Sequence, residues 1–344
     1  MAHRTIVAFL FTALAQQAAL AGATAANGLA VRATPADHVT ITEFRDLPGG
    51  NRPLYFPTGI APGPNGALWV TDDIDQDFGQ DAVARITTAG KRTTTFHYQA
   101  EASPSFEDIV AGPDGALWIA DDGDTQIVRV TISGEFSTFT TRPYVPSAIA
   151  AGPDGALWFT LTGFSNSAIG RLTTTGKMTI YSNGITGNWT QDITAGSDGA
   201  LWFTEPTNNR IGRITTHGSV TEYSMGIPSG SEPYAIAAGP DGALWFTEMV
   251  ARRVARITTA GVVTMQSRVL SANPIDITGG PDKALWFTEM KSRLARIGRI
   301  TTAGSTTEYT GLTQGSDPTA ITAGPDGNVW FVETNANRVG RVNL

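Results

Sequence analysis

Ala238-Gly239-Pro240-Asp241-Gly242-Ala243-Leu244-Trp245-Phe246-Thr247-Glu248 is the clearest copy of a unit that recurs seven times along the chain. Trp69, Trp118, Trp158, Trp202, Trp245, Trp286 and Trp330 mark the copies, at spacings of 49, 40, 44, 43, 41 and 44 residues. A period of about 40 to 45 residues with four short strands per repeat is the pattern of a β-propeller. The sequence therefore predicts an all-β fold, a seven-bladed β-propeller with four-stranded blades.

Working outward from that stretch, each repeat reads as strands A to D. Strand A is short, as in Ala235-Ile236-Ala237, and a Gly-Pro-Asp-Gly turn of typical tight-turn composition follows it. Strand B is Ala-Leu-Trp-Phe-Thr, apolar on both faces because each sheet is sandwiched between its neighbours. Strand C is Ile-Gly-Arg-Ile, as in Ile211 to Ile214, and a Thr-Thr-x-Gly turn leads to strand D, as in Val220-Thr221-Glu222-Tyr223. His38-Val39-Thr40-Ile41-Thr42-Glu43-Phe44 matches a strand D but precedes the first full repeat, and Arg338 to Val342 ends the chain after a strand C. The two termini are expected to complete blade seven together, which removes exposed sheet edges.

Composition narrows the function classes. The formal net charge of −7 comes without a run of like charges, so neither nucleic acid nor an anionic membrane surface is an expected partner. With no cysteine there is no disulfide, thiol nucleophile or thiolate ligand. Met1-Ala2-His3-Arg4 carries positive charge and Ile6 to Ala15 is apolar. Ala19-Leu20-Ala21 and Ala23-Thr24-Ala25 fit small-x-small cleavage sites. Residues 1–25 read as a secretory signal peptide, residues 26–37 as a flexible leader, and residues 38–344 as the propeller of a secreted, monomeric protein.

Antiparallel pairing places the B–C and D–A loops at one end of every blade, here the top face. The residue three after each tryptophan falls there: Asp72, Asp121, Leu161, Glu205, Glu248, Glu289 and Glu333. These acids read either as a ring of oxygen ligands for a divalent cation, with Glu333 and Glu289 as metal candidates, or as one structural carboxylate per blade facing a strand-C arginine (Arg85, Arg129, Arg171, Arg213, Arg256, Arg299, Arg341). The position two before the strand-A isoleucine is the other top position. It varies, holding Thr58, Glu107, Ser147, Gln191, Tyr234, Ile275 and Thr319. Such variation on a repeated scaffold fits a ligand-binding surface for a small molecule or glycan, and it also fits unconstrained surface. Of four histidines, His3 lies in the signal segment, His38 begins the closing strand, and His217 lies in a bottom turn. His97 is expected in a top loop, where it would be the available imidazole acid or base. Long connections at His97 to Pro104, Ile74 to Asp81 and Gly184 to Trp189 are further places for function. Asn188-Trp189-Thr190 is a glycosylation sequon.

The motifs Ala-Gly-Pro-Asp-Gly-Ala-Leu-Trp-Phe-Thr-Glu, Asn-Arg-Ile-Gly-Arg-Ile-Thr-Thr and Val-Thr-Glu-Tyr resemble the streptogramin B lyases, also called virginiamycin B lyases. The resemblance runs from about His38 to Leu344 and includes the split last blade. It implies a seven-bladed propeller that opens ester-closed cyclic depsipeptide antibiotics by elimination, with a magnesium ion, and so confers antibiotic resistance. It implies a catalytic tyrosine and two histidines at the variable strand-A positions of blades one, six and seven. Here those positions hold Thr58, Ile275 and Thr319. Two family glutamates map onto Asp317 and Glu333. Isoleucine can neither give nor take a proton, so the family's site must be rebuilt here from Asp317, Glu333, His97 or Tyr234 if elimination persists. Three readings follow. One is a lyase acting on a cyclic ester or related metabolite; another is a non-catalytic ligand- or glycan-binding propeller. The third is a metal-dependent lactone hydrolase.

Overall fold

Seven antiparallel four-stranded sheets, one per repeat, form the computed structural model of the chain, which describes residues 39–45, 47, 54–75, 80–99, 104–265 and 267–344. Blade five is representative: strand A is Pro233–Ala238, B is Leu244–Glu248, C is Arg253–Ile257 and D is Val263–Met265. The A strands of consecutive blades contact one another around the whole ring, with blade seven against blade one. Each sheet thus presents its first strand to the central axis and its fourth to the outside. The signal segment and leader expected over residues 1–37 lie outside the described residues, as do 76–79 and 100–103 of the two long connections. Among the described residues, no helix is long and apolar enough to cross a membrane.

The termini close the ring as the repeat phase predicts. Thr40–Phe44 pairs antiparallel with Arg338–Asn343, from Thr40 opposite Asn343 to Phe44 opposite Val339, and becomes strand D of blade seven.

Each of the seven hydrophobic clusters joins two consecutive blades. The cluster holding Trp245 and Val254 of blade five continues into Ile277, Leu285, Phe287 and Ile300 of blade six. The one holding Trp330, Val332 and Val339 continues into Ile60, Leu68 and Val70 of blade one. Every blade tryptophan is at most 1% exposed. Six of them stack on the strand-D aromatic of their own blade, as Trp202 does on Tyr223 (5.5 Å, 16°) and Trp330 on Phe44 (5.4 Å, 11°).

The seven strand-C arginines expected to face the top acids do not, which corrects the structural reading of those residues; the arginines opposite Glu205, Glu248, Glu289 and Glu333 are Arg210, Arg253, Arg296 and Arg338. Five of the seven turn toward the bottom face, to the aspartate of the turn between strands A and B, while Arg85 binds Thr93 and Arg341 binds Asn343 and the Thr88 carbonyl. Asp241 accepts the Trp245 indole N–H on Oδ1 (3.0 Å) and the Arg256 Nε–H on Oδ2 (2.7 Å). Asp114, Asp154, Asp198 and Asp282 repeat this pair of bonds. The physical reason is strand alternation: in the register, Arg256 sits opposite Trp245, three residues from Glu248.

Candidate functional site

Strand A has proline as its first or second residue in five blades: Pro57, Pro146, Pro233, Pro274 and Pro318. The variable position follows directly. Here the pairing of A with B slips, between Pro57 and Ile60, Phe106 and Asp108, Pro146 and Ile149, Pro233 and Ile236, Pro274 and Ile277, and Pro318 and Ile321. A β-bulge therefore carries Thr58, Glu107, Ser147, Tyr234, Ile275 and Thr319, and bulges re-aim side chains at ends of sheets. In blades three to six the strand-B threonine holds this part of strand A and links it to the next blade, whereas blades two and seven have Ala120 and Val332 there. Thr204 Oγ1 accepts the Asp192 N–H (3.1 Å) and donates to the Tyr234 carbonyl (2.7 Å). Thr160, Thr247 and Thr288 bind in the same way, donating to the carbonyls of Gln191, Ile275 and Thr319.

At the three positions that the resemblance singles out, the side chains are occupied or inert. The Thr58 hydroxyl meets Thr71 Oγ1 at 2.8 Å and donates to the Phe106 carbonyl. Thr319 Oγ1 lies 2.6 Å from Thr334 Oγ1. Ile275 is half-buried and apolar. His97 is not in a top loop. It is an exposed residue of Arg92–Gln99, strand D of blade one, opposite Ala82. Three strand spacings, about 14 Å, separate that strand from the axial one. The extra length of this strand D, which runs on to Gln99, is what takes His97 out of the loop.

Tyr234 has a different setting. Its ring meets the edge of Trp189 at 6.4 Å and 82°. Burial, and then the negative charges of Glu107, Asp192 and Asp276, push its phenol above the ordinary value, so it stays protonated. Residues of blades two, four, five and six therefore share one field at the axis.

Asp108, Asp192 and Asp276 are the feature that sequence reading missed. Each directly precedes the strand-A isoleucine, in blades two, four and six, where the other blades have Gly59, Ala148, Ala235 and Ala320. Each carboxylate bridges two blades. Asp192 accepts the Ile193 N–H at 2.7 Å and the Ile236 N–H at 2.7 Å. Asp108 does so for Ile109 and Ile149, and Asp276 for Ile277 and Ile321. Burial raises Asp108 to about 6 against the pull of its two N–H donors. Burial, with the charge of Asp108 adding, raises Asp276 to about 7. Burial and the charge of Asp276 lift Asp192 well above the usual range. The signal was present as an Asp-Ile pair in every second repeat.

Asp317 and Glu333 do come together, at the top of blade seven, where Glu333 pairs with Pro318. Asp317 is 3% exposed, has a left-handed backbone (φ 49°), and accepts a hydrogen bond from Asn335 Nδ2. Burial raises it to about 6. Glu333 and Glu289 are wholly buried. Burial, then the charge of Glu43 or Glu308 respectively, raises each to about 8. Carboxyls sealed from solvent do not suit a magnesium ion, which retains several waters. Among the described residues, no three His, Asp or Glu side chains are arranged to hold a metal.

The profile of the virginiamycin B lyase family matches residues 51–266 and 228–344. The chain is 31% identical to a streptogramin B lyase structure, covering 89% of this chain and 98% of the other with a TM-score of 0.77. It is also 31% identical to a catalytically inactive histidine-to-alanine variant of virginiamycin B lyase from Staphylococcus aureus, solved with quinupristin (TM-score 0.76, 89% and 100% covered). A gluconolactonase from Xanthomonas campestris shares the fold at 13% identity (TM-score 0.56, 92% and 98% covered). Among proteins of curated function, none matches significantly.

Proposed function

The chain belongs to the virginiamycin B lyase family, and from that premise we propose that it is a secreted lyase that opens a cyclic ester or related metabolite by elimination at the top of the propeller axis. The observation that supports this is the shared field of the Tyr234 phenol with Glu107, Asp192 and Asp276. An elimination needs a base to take the proton from the carbon that becomes part of the alkene, and an acid for the departing ester oxygen. A carboxylate titrating near neutrality suits the first role and a phenol kept protonated suits the second. The C–O bond breaks, the ring opens, and the product is an isomer of the substrate. Glu289 and Glu333, sealed from solvent, do not suit the magnesium that the resemblance implies.

A second reading has its own support. The Thr58 and Thr319 hydroxyls are engaged within the protein and Ile275 has no acid or base, which suits a propeller that binds a small molecule or glycan without turning it over.

Incubation of the purified protein with a streptogramin B depsipeptide, with and without magnesium, followed by mass and retention time, separates the readings. The expected result is a product of unchanged mass and altered retention, and confirmed turnover of the antibiotic would make the protein a resistance factor. A product heavier by one water would mean lactone hydrolysis. Binding by calorimetry without any product would overturn the lyase reading in favour of the binding one.

A further inference from the structure

We propose that blades four, six and seven each contain a proton-held clamp, a neutral inner glutamic acid backed against an outer glutamate, that fastens the top loop leading into the blade. The inner members are Glu205, Glu289 and Glu333 at the ends of the B strands, all with zero exposure. The outer members are Glu222, Glu308 and Glu43 on the D strands, opposite Gly212, Gly298 and Gly340 of the C strands.

The outer glutamates are well supplied with donors. Glu222 accepts the Thr186 N–H (2.6 Å), the Thr186 hydroxyl (2.7 Å) and Arg210 (2.6 Å). Glu43 accepts the Thr313 N–H (2.6 Å), the Thr313 hydroxyl (2.9 Å) and Arg338 (3.3 Å). Glu308 accepts the Ser271 N–H (3.3 Å) and pairs with Arg268 (2.6 Å) and Arg296 (3.1 Å). Thr186, Ser271 and Thr313 lie on the loops that lead into Gln191, Ile275 and Thr319.

The inner glutamates have the opposite environment. Among the described residues, no N–H donor reaches either oxygen of Glu205 or Glu333, and Glu289 Oε1 is likewise without one. Glu205 and Glu333 instead face the carboxyl groups of Glu222 and Glu43, and the Ser316 hydroxyl also reaches Glu333. Two carboxyls that face each other can bond only if one carries the proton, and the member surrounded by donors favours the charged form. The inner acid is therefore the proton donor. Blade six is the looser version, in which Glu289 Oε2 accepts the Ala272 N–H at 3.4 Å and Glu308 acts through its charge. Gly187 closes the blade-four clamp: a Cβ there would stand 2.7 Å from Glu205 Oε2. Blade five has Glu248 but Met265 where the outer glutamate would be, and is an internal control.

The charged groups facing each inner acid are its glutamate partner and Arg210, Arg338, or Arg296 with Arg268. Burial first, and the partner's charge second, raise all three inner acids from 4.5 to about 8. A value raised in the folded state means that the contribution to stability is complete below the unfolded value and is lost as pH rises through about 8. In blade seven this loosens the ring closure itself, because Glu43 belongs to the N-terminal strand.

The test compares infrared titration of the whole chain with thermal melting of Glu205→Gln, Glu333→Gln and Glu222→Gln. A protonated-carboxyl band is expected at neutral pH, titrating near 8 and weakened in the two inner variants. Gln keeps the donated hydrogen bond but does not titrate, so the inner variants should lose less stability than the parent as pH rises from about 4.5 to 8 and run parallel to it above 8. In the parent, each pH unit between about 4.5 and 8 weakens folding about tenfold per clamp, and the loss levels off above 8. Glu222→Gln should melt lower at every pH. Absence of the band, failure of the inner variants to fold, or equal damage from Glu205→Gln and Glu222→Gln would overturn the proposal.

Discussion

The phenol of Tyr234 is the residue on which the lyase reading turns most directly. Replacing it with phenylalanine keeps the ring against Trp189 and removes the acid. A loss of turnover of about 10²- to 10⁴-fold with an unchanged melting temperature is expected, measured by product formation. The axial carboxylates set the pH dependence. Asp108 at about 6 and Asp276 at about 7 are protonated in acid and ionised above neutrality. Their folded values lie above the unfolded one, so the stability they contribute is lost as pH rises through 6 to 7, while a base they supply appears over the same window. The rate should therefore climb with pH between about 6 and 7, and a rate that is flat there would remove these groups from the chemistry. The bottom face offers a separate test. In blade one the turn holds Asn65 in place of aspartate, and the buried Trp69 Nε1 finds no acceptor. Asn65→Asp should restore the bond and raise stability by about 1 kcal/mol in chemical denaturation.

At the scale of the element, the Thr-Thr-x-Gly turn shows why the repeat keeps its glycine. Gly218 has φ +88°, and a Cβ added there would lie 2.3 Å from the Tyr181 ring of the preceding blade. Gly218→Ala carries both backbone strain and a clash. A loss of about 1 to 3 kcal/mol is expected, read from the denaturation midpoint. The turn and strand pattern of the repeat was legible throughout, because turn chemistry and two-sided apolar strands are local properties. The bulge in strand A was legible only as variation, since a slip in register leaves no mark on a three-residue core such as Ala-Ile-Ala. His97 was misplaced for a related reason: strand D of blade one runs on to Gln99, and its alternating Thr, Phe and Tyr residues do not announce where pairing stops.

At the scale of the whole molecule, stability is distributed over seven like interfaces. Trp245 of blade five packs into blade six, so Trp245→Ala should cost about 3 to 5 kcal/mol and reduce hydrogen-exchange protection in both blades. A loss confined to blade five would contradict that packing. Closure by Thr40–Phe44 follows from counting strands, since a chain that starts with a D and ends on a C has one arrangement that pairs every edge.

The sequence by itself determined the seven blades, their strand order, the closure and the tryptophan-centred interfaces, because each rests on residues a few positions apart repeated at a fixed period. The tertiary structure alone decided which carboxyls meet. Closing the ring brings Glu107, Asp192, Tyr234 and Asp276 from four blades into one field, and sets Glu43 from the start of the chain against Glu333 near its end. Inside a protein such charges interact strongly over distances that water would screen, and no local pattern encodes that proximity.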